Sequence, residues 1–138
     1  MIENTIVKVP ATSANMGPGF DCLGIALDVW NEVKVTKGSF SIKVIGKGED
    51  ELPTDDSNFV YKSFCKVFEK IGQTVPEVSL ECTNGIPLTR GMGSSSAALI
   101  GGLMSGNAVA GFPLSNPEIL RMGAEIEKHP DNVAPALL

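Results

Sequence analysis

Apolar residues occupy positions 25, 27, 29, 33 and 35 between Ile25 and Val35, and the alternation returns at Phe40, Ile42 and Val44. A period of two belongs to a strand with one buried face, so both segments predict β-structure. Thr36-Lys-Gly-Ser39 between them has turn composition and predicts a hairpin. Thr5 to Val9 predicts a shorter strand that runs into Pro10, and Val78, Leu80 and Cys82 alternate ahead of Asn84-Gly85. Elsewhere the period is helical. Val60, Phe64, Val67, Phe68 and Ile71 fall on one face, with Asp56 or Ser57 as N-cap and Gly72 in the stop position. A second helix runs from about Ser95 to Ala110 and contains Gly101, Gly102 and Gly106, each costing about 1 kcal/mol relative to Ala, so something is expected to pack closely there. Ser115-Asn-Pro-Glu118 matches a capping box and starts a third helix through Ile119, Met122 and Ile126 to about Lys128. The mixture predicts one α+β domain over residues 1–138, a mixed sheet with helices on one face. The apolar stretch Asn132 to Leu138 ends without a polar or capping residue, which reads as a domain interrupted before its completion.

Composition narrows the functions. Lys and Arg number 11 against 16 Asp and Glu, a net charge of -5, which gives no broad field for nucleic acid or an anionic membrane. Any phosphate must be held locally. The N-terminus lacks a basic region followed by an apolar stretch, and no apolar run is long enough to span a bilayer, so a cytoplasmic location is expected. Cys22, Cys65 and Cys82 are far apart and odd in number, and are expected to be reduced thiols, two of them buried, rather than a disulfide framework or zinc cluster.

Three clusters could carry chemistry. Pro87-Leu-Thr-Arg90-Gly91-Met92-Gly93-Ser94-Ser95-Ser96-Ala-Ala98 follows a predicted strand and opens a predicted helix. Glycines at 91 and 93 let successive N–H groups turn toward one anion, and a helix N-terminus adds about half a positive charge. The serine hydroxyls can donate to phosphate or coordinate a hard cation such as Mg²⁺. The segment is neither a Walker A, having no Gly-Lys-Ser/Thr, nor a Rossmann fingerprint, having Ser96 in place of the third glycine. Taken alone it could also be only a tight turn, since a lone Gly-rich loop is a weak signal. Pro10-Ala-Thr-Ser-Ala-Asn15-Met-Gly-Pro-Gly-Phe-Asp21 is a connection or a loop whose polar members bind a small polar substrate. Glu125-Ile-Glu-Lys-His129-Pro-Asp-Asn132 is a solvated helix end or a set of acceptors near a shared cation.

In this order and spacing the three clusters resemble the homoserine branch of the GHMP kinase superfamily, over nearly the whole chain. The resemblance implies the GHMP kinase N-terminal ATP-binding domain, with a second C-terminal domain absent from these residues. It implies transfer of the γ-phosphoryl group of ATP to the L-homoserine hydroxyl, in threonine biosynthesis. The Gly91–Ser96 loop would wrap the ATP phosphates, with Pro87 and Arg90 beside it, and Ser95, or Ser94 in its place, would hold Mg²⁺ with Glu125. Asn58 falls where the family contacts adenine. Asn15, Asp21, His129 and Asn132 match positions around homoserine, with Asp21 facing the ammonium, Asn132 or Asn15 orienting the nucleophile, and His129 a candidate for the proton. Met92 stands where leucine is commoner, and Lys128 where glycine is usual. A homodimer is a candidate assembly. The competing expectations are a superfamily kinase acting on another small alcohol, and a nucleotide-binding module without catalysis.

Overall fold

The computed structural model describes residues 4–13, 25–86 and 94–126, and of residues 11–13, 25–29, 94 and 95 the backbone alone. Chain order gives β1 (Asn4–Ser13), β2 (Ile25–Lys37), β3 (Ser41–Gly46), α1 (Phe59–Ile71), β4 (Val78–Asn84), α2 (Ser94–Val109) and α3 (Asn116–Ile126). Among the described residues the strands form one mixed sheet in the order β1-β2-β4-β3, antiparallel except for the parallel pair β3 and β4. The alternation seen in the sequence selects its faces. Val9, Val33, Val35, Ile42, Val44, Val78, Leu80 and Cys82 are buried beneath the helices, while Ile6, Trp30 and Lys43 lie exposed.

Two strand expectations need correction. β2 and β3 do not form a hairpin: β4 lies between them, pairing Val35 with Leu80 on one side and Ile42 with Leu80 on the other. The turn composition is real, but Gly38 donates its N–H to Glu77 O at 3.1 Å and carries the chain across the start of β4. Alternation reveals which face is buried, and says nothing of which strand is the neighbour. β1 also does not stop at Pro10. It continues to Ser13 past an irregularity where Pro10 faces Trp30 and Ala11 faces Leu27, a bulge on β2. Proline is tolerated because β1 is an edge strand and needs no donor on its open side.

The helices follow their predicted faces. Val60, Phe64, Val67 and Phe68 of α1 are buried, and Phe64 and Phe68 pack with ring centroids 5.2 Å apart. Gly72 sits in the left-handed region at φ 72°, and its N–H closes the helix on Glu69 O and Phe68 O. The N-cap is Asn58, not Asp56 or Ser57: its Oδ1 accepts from Tyr61 N at 3.2 Å, whereas Ser57 N is taken up by Asp55 Oδ1 at 2.9 Å. α3 begins with the expected capping box, Ser115 N donating to Glu118 Oε1 at 3.1 Å and Glu118 N to Ser115 Oγ at 3.3 Å. That exchange holds the Glu118 carboxyl below its ordinary value.

The glycines of α2 do what their cost implied. A Cβ at Gly101 would stand 3.0 Å from Val33 Cγ2 of the sheet, and one at Gly106 would stand 2.8 Å from Phe64 O of α1. At Gly102 it would collide with Val60 O and lie 2.6 Å from Ser63 Cβ. α2 is therefore sandwiched between sheet and α1 at backbone contact, which fixes where its N-terminus points.

Candidate nucleotide site

The sheet's inner face ends in amides rather than aliphatics. Along β2 the buried positions read Val35, Val33, Asn31, and along β4 Val78, Leu80, Cys82, followed on the same face by the half-buried Asn84; Asn31 and Asn84 are directly paired across the two strands. Beyond this rung lies a hollow of about 280 Å³, with Val44, Val60, Cys82 and Ala98 among its apolar lining and Asn31, Asn58 and Asn84 as its amides. Such a space, mostly apolar with a few oriented polar groups, suits a flat ring system carrying a few hydrogen-bonding atoms.

Each amide is oriented by a backbone tie. Asn58, 3% exposed, donates Nδ2 to Pro53 O at 2.9 Å while its Oδ1 caps α1. Asn84 donates Nδ2 to Lys47 O at 3.1 Å, which anchors the β3–α1 loop to β4. Asn31 accepts from Ile86 N at 2.9 Å through Oδ1. Asn58 thus has a structural duty as well as a place on the hollow. Asn58→Ala is expected to lower stability by about 1 kcal/mol through the lost cap, read as a shift in the urea midpoint.

The N-terminus of α2 lies beside the hollow, since Ala98 of its second turn is part of the lining. The first N–H groups of a helix have no intrahelical acceptor, and with no acidic residue in the first turn α2 does not compensate its own positive end. Ser94, Ser95 and Ser96 occupy that first turn, and Ser96 is buried. Hollow and helix end together offer an apolar slot continuous with an anion-attracting terminus.

The other anticipated residues divide. Glu125 is exposed near the end of α3 and lines a shallow hollow with Lys66, Glu69 and Lys70 of α1, apart from the lining that includes Asn58. Asn15, Asp21, Pro87, Arg90, Gly91, Met92, Gly93, His129 and Asn132 lie outside the described residues. Asn31 and Asn84 escaped the sequence reading. Their signal was present, as two inner-face alternations each ending in Asn, but only the register shows that they meet.

Two of the three thiols were expected to be buried; among the described residues Cys82 is buried and Cys65 half-buried, and Cys22 lies outside them. Burial pushes the Cys82 thiol up to about 11, and the folded state therefore holds that proton more tightly than the unfolded chain, whose thiol titrates near 9.0. The stability this contributes is whole below pH 9 and is lost as pH rises toward 11. Cys82→Ala should lack that component of the alkaline fall in the urea midpoint. In the folded protein at pH 8, maleimide should label Cys65 before Cys82, as read by peptide mass.

Among the described residues no helix is long and apolar enough to cross a membrane. Residues 58–138 match the GHMP kinases N terminal domain. The homoserine kinase of Desulfitobacterium hafniense is 54% identical over 133 residues, 96% of this chain and 45% of that protein. The crystal structure of homoserine kinase from Cytophaga hutchinsonii superposes with a TM-score of 0.83 at 32% identity, over 99% of this chain and 47% of that one. Mevalonate kinase of Methanococcus jannaschii shares the fold, with a TM-score of 0.77 at 12% identity over 97% of this chain and 51% of that one. The chain thus spans about half the length of the relatives it matches.

Proposed function

The chain belongs to the GHMP kinase family through its N-terminal domain, and from that premise we propose that it is the nucleotide-binding half of a kinase that phosphorylates the hydroxyl of L-homoserine with ATP. The observation that carries this reading is the apolar hollow beside the uncompensated N-terminus of α2. Adenine occupies the hollow against Asn58. The triphosphate runs toward α2, where residues 91–96 and the first helical amides take its charge, with Pro87 and Arg90 at the approach.

In this reading Ser95 and Glu125 would hold Mg²⁺. A hydroxyl and a carboxylate are hard oxygen donors, and this ion ordinarily takes one or two protein ligands, the substrate phosphates and water rather than a full protein cage. The chemistry it would supply is neutralisation of the charge on the transferring phosphoryl group. Asp21 faces the substrate ammonium, and His129, Asn132 and Asn15 surround the hydroxyl. Asn132 or Asn15 orients the attacking oxygen, and His129 is the candidate to receive its proton. Phosphoryl transfer depends mostly on alignment and charge stabilisation, so no strong base is required.

The test is calorimetry with ATP and Mg²⁺ on the protein at its full encoded length, followed by a turnover assay on the same sample with L-homoserine and a panel of other small alcohols. Saturable ATP binding and formation of O-phosphohomoserine are expected. Binding without product would replace the kinase by a nucleotide-binding module, and product only from another alcohol would reassign the acceptor.

A further inference from the structure

We infer that Phe59 is the residue on which the base of the nucleotide stacks, its ring forming an aromatic wall at the mouth of the hollow. The inference rests on the preceding reading, in which the hollow takes the base.

Phe59 is the first residue of α1, and among the described residues it is the one aromatic side chain that lines the hollow. Its neighbours in sequence are both buried, Asn58 as the N-cap and Val60 in the core, whereas Phe59 is 37% exposed. A ring that lines a hollow and also meets solvent stands at the opening between them. A single exposed aromatic needs no explanation in itself, but one that borders an apolar hollow with a few oriented amides belongs to a binding surface. No structural duty accounts for it. Phe40, Tyr61, Phe64 and Phe68 contact one another in series, with ring centroids 5.1, 6.2 and 5.2 Å apart, and Phe59 stands outside that series. Helix propensity gives no reason for a ring there either, since Phe is a poorer helix former than Leu or Met.

The backbone that carries the ring is held on both sides. Asn58 is tied to Tyr61 N through Oδ1 and to Pro53 O through Nδ2, and the Phe59 carbonyl accepts from Ser63 Oγ at 2.8 Å. A ring borne on so fixed a turn surrenders little freedom when a flat ligand lies against it. The roles within the hollow then separate. Asn31, Asn58 and Asn84 bring amides that can address the edge of a base, where its hydrogen-bonding atoms lie. Phe59 addresses its face, and because every base has a π-face, stacking adds affinity without selecting among bases.

The experiment is calorimetric titration of adenosine into the protein at its full encoded length, with the urea midpoint of each variant measured alongside. Phe59→Leu keeps an apolar side chain and removes the π-face, whereas Phe59→Tyr keeps the π-face. Val67→Ala, fully buried on the same helix and outside the lining, is the control for general destabilisation. The leucine variant should bind adenosine about tenfold more weakly than the parent, the tyrosine variant within about twofold of it, and the control as the parent does. An unchanged affinity in the leucine variant, a tyrosine variant as weak as the leucine one, or an equal fall in the control overturns the stacking role while leaving the hollow as the base site. A parent that binds ATP without measurable affinity for adenosine, or binds neither, removes the base from the hollow, and the inference falls with that reading.

Discussion

Gly102→Ala is expected to destabilise the domain by about 2 kcal/mol, and Gly102→Val to prevent it from folding. Two effects oppose each other in the alanine variant. Helix propensity favours Ala over Gly by about 1 kcal/mol, which would make the change stabilising on an isolated helix. Against this, the new Cβ would meet Val60 O, Ser63 Cβ at 2.6 Å and Phe64 N at 3.1 Å. None of these can swing aside: two are backbone atoms of α1 and the third is fixed to it. The helices must separate, and overpacking of this kind costs about 1–3 kcal/mol, sometimes more, before the loss of neighbouring contacts is counted. Gly101→Ala is the internal comparison, because its obstacle is the Val33 side chain at 3.0 Å, which can shift by a few tenths of an ångström. Urea unfolding followed by the fluorescence of Trp30, the single tryptophan, would give the order. A Gly102→Ala protein at least as stable as its parent would contradict the close helix contact.

Glu125→Gln is expected to reduce turnover at limiting Mg²⁺ by about 10- to 100-fold, with a smaller deficit at saturating Mg²⁺, the signature of a weakened cation site. The neutral isostere keeps the shape of the side chain and removes the charge that a cation held there would need. The opposing possibility is visible in the fold, where Glu125 shares a shallow hollow with Lys66 and Lys70. If Glu125 serves only those surface lysines, the substitution would leave Mg²⁺ dependence untouched and move stability by a few tenths of a kcal/mol at most. Initial rates across a Mg²⁺ titration separate the two.

How far the sequence could be read depended on whether its signals were local. Capping at Ser115 and Glu118, the stop at Gly72 and the buried stripe of α1 are each decided within a few residues, and all appeared as expected. The N-cap of α1 was missed by one or two positions because Asp56, Ser57 and Asn58 are all competent caps. The Asp55 turn that occupies Ser57 decided among them. Strand partners are a different matter. Nothing between Val35 and Phe40 announces that β4 will enter there, since that outcome depends on contacts formed some forty residues later. The site divided in the same way: the expectation for the Gly/Ser segment and the helix after it rests on consecutive residues, of which 91–93 lie outside the described ones, whereas the Asn31 tie to Ile86 bridges 55 positions and becomes meaningful only once the register is known.

The insertion of β4 between β2 and β3 also dictates an order of assembly. In the folded sheet Ile25–Lys37 and Ser41–Gly46 stand about 9.5 Å apart, twice the usual strand spacing, with Val78–Asn84 between them. That middle strand is synthesised only after Phe59–Ile71. Until then the segments of β2 and β3, rich in valine and isoleucine, lack their native partner, so the nascent chain is most vulnerable to mispairing while residues 47–77 are being made.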